Sequence, residues 1–339
     1  MMKRQSAWCG FFALLALAVC LCACSSSSKE ERKVPTAVSI GQPSEVLLVL
    51  DPAVMATELR DTLKDMLQCD VVGLNQSEPF FRVSRVPLSI YKGEMLKMHS
   101  KLVVKIDAAQ KEAALKVAYD VDAKPQIQLL LTSPSIPALA DFLQSNADQV
   151  RQTLLDHQLK MQRTYLRRHH SKAVSKCLKT MGFEGLLPEE IAFTKTGEDF
   201  LWGSSRTNEK QLNFVFYTYP SDASELGHLQ EMVMVRDSVM QLNIPGSLPD
   251  QWMETVWEQG EPIVTLRQVK REGRMVTELR GLWQMRHGAM GGPFVSYSWY
   301  DESSGRMVVA EGFVYSPSTE KRDLVRRLEA GMRTIKEKK

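Results

Sequence analysis

Hydrophobic positions in this 339-residue chain follow three patterns: one unbroken run near the start, short alternating segments, and stretches repeating every third or fourth residue. After a short apolar strand at 45–50 and Pro52, Met55, Leu59, Leu63 and Leu67 recur every four residues and so share one helix face. Residues 80–87, 101–106, 115–121 and 126–132 read as strands, several alternating apolar with polar as a half-wet sheet requires. Ser133-Pro134-Ser135 then opens a long helical stretch, 138–181, with Leu139, Leu143, Ala147, Val150, Leu154, Met161 and Tyr165 at helical spacing and a stop at Gly182. At 1.5 Å per residue such a helix is about 65 Å long, unless it breaks near Arg167-Arg168-His169-His170.

The second half repeats the grammar. Residues 211–218 form a strand, Pro220 follows, and Ser224 can cap a helix with Leu226, Leu229, Val233 and Met240 on its buried face and a stop at Asn243-Ile244-Pro245-Gly246. Strands at 265–269 and 277–285 flank a turn at Glu272-Gly273. A hairpin joins 294–300 to 307–315, and Ser316-Pro317-Ser318 opens a final helix striped by Leu324, Leu328, Met332 and Ile335. The expected class is α+β, with an N-terminal domain (37–150) and a C-terminal domain (183–339), each an antiparallel sheet plus helices, joined by the long helix. Matching strand-proline-helix openings and matching Ser-Pro-Ser helix starts suit a tandem duplication. They equally suit chance, since Ser caps helices and Pro fits their first turn.

The unbroken run changes the picture of where the protein works. Lys3 and Arg4 precede the apolar segment 11–19, which ends at Leu21-Cys22-Ala23-Cys24. That pattern is a secretory signal (1–23) closing in a lipobox, with Cys24 as the lipid attachment point and polar residues 24–36 as a flexible tether. Acyl chains contribute about 0.8 kcal/mol per buried methylene, so two or three on Cys24 hold firmly. Loss of the signal lowers the formal charge from +3 to +1, which gives no whole-protein attraction to nucleic acid. Of six cysteines only Cys69 and Cys177 lie beyond the anchor, and their places in the pattern predict two unbonded thiols.

Arg280-Gly281-Leu282-Trp283, the segment from Met290 through Ser296, the segment from Glu311 through Pro317, Phe200-Leu201-Trp202 and Arg236-Asp237-Ser238 together resemble an uncharacterised family of Bacteroidota lipoproteins, a domain of unknown function. Lys29-Glu30-Glu31 is similar to the surface-export signal of such bacteria. The resemblance spans nearly the whole mature chain and implies an outer-membrane lipoprotein, on the periplasmic or the surface face, and palmitate on the anchor. It brings no activity, ligand or catalytic residue.

Motif chemistry is sparse. The chain has no Gly-x-Ser-x-Gly, His-Glu-x-x-His, phosphate loop or Gly-x-Gly-x-x-Gly after a strand, so no catalytic residue, metal site or cofactor is assigned. His169 and His170 point about 100° apart on a helix, which suits surface or packing roles. The stretch from Gly288 through Pro293 is either a turn needing positive φ or a place where a ligand approaches the backbone. Trp202, Trp283 and Trp299 are either core or an aromatic platform for a glycan. On a continuous helix Arg168, Lys172, Lys176 and Lys179 form one basic stripe, either a solvated face or a contact for anionic lipid, lipopolysaccharide phosphate or an acidic envelope protein. The functional expectation is a non-enzymatic, lipid-anchored binding or structural module. The alternative is an envelope hydrolase acting on glycan or peptide at a site between the domains.

Overall fold

The computed structural model describes residues 37–338 apart from Asn208, Ala223 and Glu225, so the signal run, Cys24 and the tether lie outside the described residues. The first domain runs β1 (Glu45–Leu50), α1 (Pro52–Met55), α2 (Leu59–Gln68), β2 (Arg82–Pro87), β3 (Ser100–Ile106), β4 (Ala114–Tyr119), β5 (Ile127–Ser133) and α3 (Ile136–Leu166). The second runs α4 (Lys172–Thr180), β6 (Phe183–Glu184), β7 (Phe193–Gly197), β8 (Phe200–Ser204), β9 (Gln211–Pro220), α5 (Leu229–Asn243), β10 (Met253–Thr255), β11 (Trp257–Glu258), β12 (Glu261–Pro262), β13 (Val264–Arg271), β14 (Arg274–Met285), β15 (Gly291–Asp301), β16 (Arg306–Tyr315), α6 (Arg322–Met332) and β17 (Lys336–Glu337). The class is α+β in a two-domain layout. No helix among the described residues is long and apolar enough to cross a membrane.

The first sheet has the order β2-β1-β3-β5-β4, with β2, β1, β3 and β5 parallel and only β4 antiparallel at the edge. This corrects the expected antiparallel sheet. Five consecutive residues of β1, Val46 to Leu50, are buried, because both faces are covered. On one face Val46, Leu48, Leu50, Leu102 and Val104 meet Leu63 and Leu67 of α2 and Leu139, Leu143, Val150 and Leu154 of α3. On the other, Leu47, Val49 and Val103 lie under Leu88, Tyr91, Met95 and Met98 from the loop after β2.

The second sheet is antiparallel throughout, in the order β10-β14-β15-β16-β9-β8-β7, with β13 also paired to β14. Its central strands are covered on both sides. Phe214, Phe216, Val295, Tyr297, Val308 and Val314 pack under α4 and α6, while Val215, Tyr217, Phe294, Met307, Val309 and Phe313 pack with Met232 and Met240 of α5. Gly312 lets α6 come close, since a Cβ there would stand 2.7 Å from the Cβ of Leu328. Different strand orders and directions in the two sheets rule out the tandem duplication.

The helix expected over 138–181 breaks at the segment the sequence offered, Arg167-Arg168-His169-His170, and is two helices. α3 stops at Leu166, after about 46 Å, and Ser171 starts α4, its Oγ accepting from the Val174 amide at 3.1 Å and donating to Ile191 O at 2.5 Å. Ser171 also donates its own amide to Leu187 O at 2.9 Å, which buries it under the loop before β7. A buried serine that satisfies a new helix N-terminus ends the old helix.

α6, last in the second domain, is wedged against the first. Glu78 accepts from the Lys321 and Arg322 amides at 2.7 and 2.8 Å, capping α6 from the other domain, while Asp323 receives Ser44 Oγ at 2.5 Å and Arg82 at 2.9 Å.

Candidate functional site

A cavity of about 390 Å³ opens in the second domain at the end of the β8–β9–β16 strands, closed by the segment after α5 and the turn after β14. Its floor is Trp283 and Phe313, edge to face with ring centres 5.2 Å apart, and its walls are Trp202, Ile244, Met253, Met285 and Met290. Methionine walls are deformable and admit apolar guests of varied shape.

Gln211, Ser247 and Gln251 also border the cavity, and one further polar side chain, Asn213, is buried among its apolar residues. In β9, Gln211, Asn213, Val215 and Tyr217 face the same side, and the later two are core. Asn213, 1% exposed, stands where the alternation calls for another apolar residue, opposite Phe313 on β16. Its Oδ1 accepts the Trp202 indole N–H at 3.2 Å, which fixes the amide's orientation, and its Nδ2 has no partner. A buried N–H without an acceptor costs about 1–3 kcal/mol, and Asn213 is one of the residues that border the cavity.

The surroundings hold this geometry in place. Gln251 donates to His287 O at 2.8 Å and accepts from the Ser247 and Leu248 amides at 3.2 and 3.3 Å, tying the segment after α5 to the turn after β14. Beneath, Arg236 of α5 makes two bonds to Glu311 of β16, at 2.7 and 2.9 Å, and its guanidinium lies over Phe294 at 4.0 Å. Burial pushes the Glu311 carboxyl up, with Arg236 opposing. This pair staples α5 to the sheet and so sets Ile244, just past its end, against the cavity.

Two of the three tryptophans therefore converge. Trp202 and Trp283 line the cavity, whereas Trp299 lies on the opposite face of the sheet and donates to Glu337 at 3.3 Å. The glycine segment joins them through Gly288, Ala289 and Met290. Positive φ is not what its glycines supply, because the left-handed residue there is His287, at φ 52°. Close approach is: a Cβ on Gly292 would lie 2.1 Å from Val314 O. Asn213 escaped the sequence reading, although an amide between apolar neighbours in Leu212-Asn213-Phe214-Val215-Phe216 was a visible break in the pattern.

No ionisable side chain lines the cavity, so it offers no general acid or base. The cleft between the domains, about 330 Å³, is lined by seven basic and four acidic residues. Burial alone would raise the Glu278 carboxyl there, yet Arg280 and Arg271 hold it down at about 2, far from a proton-transferring range. A Ser–His contact does occur elsewhere. Because His99 Nε2 meets the Gln42 carbonyl at 2.9 Å, Nδ1 is the acceptor for Ser100 Oγ at 2.8 Å, but Ser100 is fully buried and out of reach of a substrate. Among the described residues no group of three His, Cys, Asp or Glu could hold a metal ion.

The basic stripe is interrupted by the helix break. Lys172, Lys176 and Lys179 are exposed on α4, while Arg168 sits in the turn before it, also exposed. His169 stacks on Tyr165 with ring centres 4.2 Å apart and stands 3.5 Å from Glu189; His170 Nδ1 is 3.1 Å from Leu166 O. Cys69 and Cys177 are free thiols.

Two family models divide the chain at that same break. Residues 39–167 match a domain of unknown function, DUF8532, and residues 170–334 match another, DUF4837. No curated protein matches the chain.

Proposed function

We propose that this protein is a lipid-anchored envelope module, of the kind found among Bacteroidota outer-membrane lipoproteins, whose second domain binds a neutral, largely apolar molecule carrying one hydrogen-bond acceptor. The unpartnered Nδ2 of Asn213, a buried residue bordering the Trp202–Trp283–Phe313 cavity, carries this reading, a ligand acceptor reaching it as the deformable methionine walls give way. An acyl group joined through an amide or ester fits better than a glycan. A sugar ring brings several hydroxyls, and burying each without a partner costs free energy, whereas a hydrocarbon with one carbonyl leaves few polar groups to pair against the Trp202, Trp283, Phe313 and methionine surfaces.

The test is binding of a fluorescent acyl amide, beside a free monosaccharide, to the full chain and to its Asn213→Leu variant. Loss of one good hydrogen bond weakens acyl-amide binding by about tenfold. The variant loses the Trp202 indole bond together with the unpartnered Nδ2, and a thermal melt near the parent's shows that its fold is intact. Acyl-amide binding unchanged in the variant, or preferential binding of the sugar, refutes the reading. Anchoring is tested separately through Cys24→Ser, which should abolish fatty-acid incorporation; normal acylation of that variant overturns the anchor.

A further inference from the structure

The cleft between the domains holds more positive charge than its own structure uses. Arg280 is satisfied by Glu278 and Glu329, Arg322 by Pro79 O at 2.6 Å with Glu320 and Asp323, and Arg151 by Met66 O at 2.9 Å and by Asp148. All three have partners and need no ligand, and Arg322 among them bonds across to the first domain at Pro79 O. Four basic side chains on the same cavity remain. Arg326, 6% exposed, gives Nη1 to Ser44 Oγ at 2.5 Å and lies over the rings of Phe80 and Phe81 at 4.7 and 5.2 Å, but its Nη2 has no partner. Arg271 spends its Nη groups on Lys270 O and Glu278 and leaves Nε unpaired. Arg267 and Lys270 are exposed at the rim and belong to no ion pair among the described residues.

Beyond Arg271 the same wall borders a second cavity of about 290 Å³, where Arg333, 8% exposed, leaves Nε and Nη2 unpaired. From these unmet donors we infer that the interdomain cleft is a binding site for a small molecule bearing a phosphate or diphosphate group. Planar guanidinium forks match phosphate oxygens in pairs of parallel bonds, which is why unpaired arginine N–H groups around one cavity select that chemistry. Rim cations then raise the local concentration of the anion. Burial pushes the Arg326 guanidinium down to about 9, with Glu329 opposing and Arg322 adding to the fall.

The experiment titrates the full chain by calorimetry with inorganic pyrophosphate, with a short-chain, water-soluble phosphatidic acid and with citrate, at low and high salt. Binding of either phosphate compound that weakens with salt, drops at least tenfold in Arg267→Glu/Lys270→Glu and is lost in Arg326→Met supports the site. Preference between the two phosphates distinguishes a soluble ligand from a lipid headgroup. The rim variant carries no structural contact, so it answers even if Arg326→Met fails to fold. No binding by either phosphate, equal affinity in the rim variant, or citrate binding as tight as pyrophosphate overturns the assignment.

Discussion

Arg236 and Glu311 meet through two hydrogen bonds in the middle of the second domain, 75 residues apart in sequence and with neither side chain more than 2% exposed. Because both charges have left water, the consequence of breaking the pair is lopsided. Arg236→Met strands a buried carboxylate and should cost roughly 3–5 kcal/mol in urea unfolding. Arg236→Met/Glu311→Leu should recover most of that loss, and a double variant as unstable as the single would show that the pair is not the source.

His157 predicts an acid-sensitive stability. It is 7% exposed, packs near Tyr119 with ring centres 5.7 Å apart, and has no hydrogen-bond partner on either ring nitrogen. Burial first, then the nearby His99 and Lys160 charges, push it down from 6.5 to about 4, with Asp120 opposing. The unfolded chain therefore takes up the proton first as pH falls. This contribution is complete above about 6.5 and is lost on acidification towards 4, by roughly 3 kcal/mol. His157→Phe should flatten the stability profile between those pH values; an unchanged slope would assign the acid sensitivity to other groups.

Gly292→Ala should lower both stability and acyl-amide binding. The added methyl meets Val314 O at 2.1 Å and the Trp283 indole nitrogen at 3.3 Å, so β15 must shift and disturb the cavity floor. Overpacking of this kind costs about 1–3 kcal/mol. A thermal melt matching the parent would mean that the strand moves freely there.

Lys172, Lys176 and Lys179 test membrane contact. If α4 faces anionic lipid, each lysine contributes about 1 kcal/mol near the surface. Glu at these three positions and at Arg168 should then abolish salt-sensitive binding to anionic liposomes while leaving neutral liposomes unaffected. Binding equal to the parent would leave these residues as a solvated face.

Much of this architecture could be read from the chain. The β15–β16 hairpin and β9 are apolar-rich runs bounded by turn residues and α2 carries a period-four stripe, signals strong enough to place them. The parallel first sheet was legible only in the unbroken Val46-Leu47-Leu48-Val49-Leu50, since a short apolar run signals burial on both faces without naming the partner strands. The α3–α4 break lay in a single cap, Ser171, whose acceptor at Ile191 no local pattern reveals. α5 begins at Leu229 rather than at the Ser224 cap, because propensity marks where a helix can start and packing decides where it does. Both cavities depend on residues far apart in sequence, such as Trp202 with Trp283 or Arg271 with Arg326, and convergence of that kind is a property of topology.

Ser44 and Asp323 are 279 positions apart and in direct contact. During synthesis the segment containing Ser44 and Glu78 emerges well before the helix they hold, since Arg322 follows Glu78 by 244 positions. The earliest-made domain is thus completed last, and such long-range closure is slow relative to local folding. A chain cut short before Lys321 would lack the clasp between its two halves, leaving Glu78 and the Phe80–Phe81 surface open.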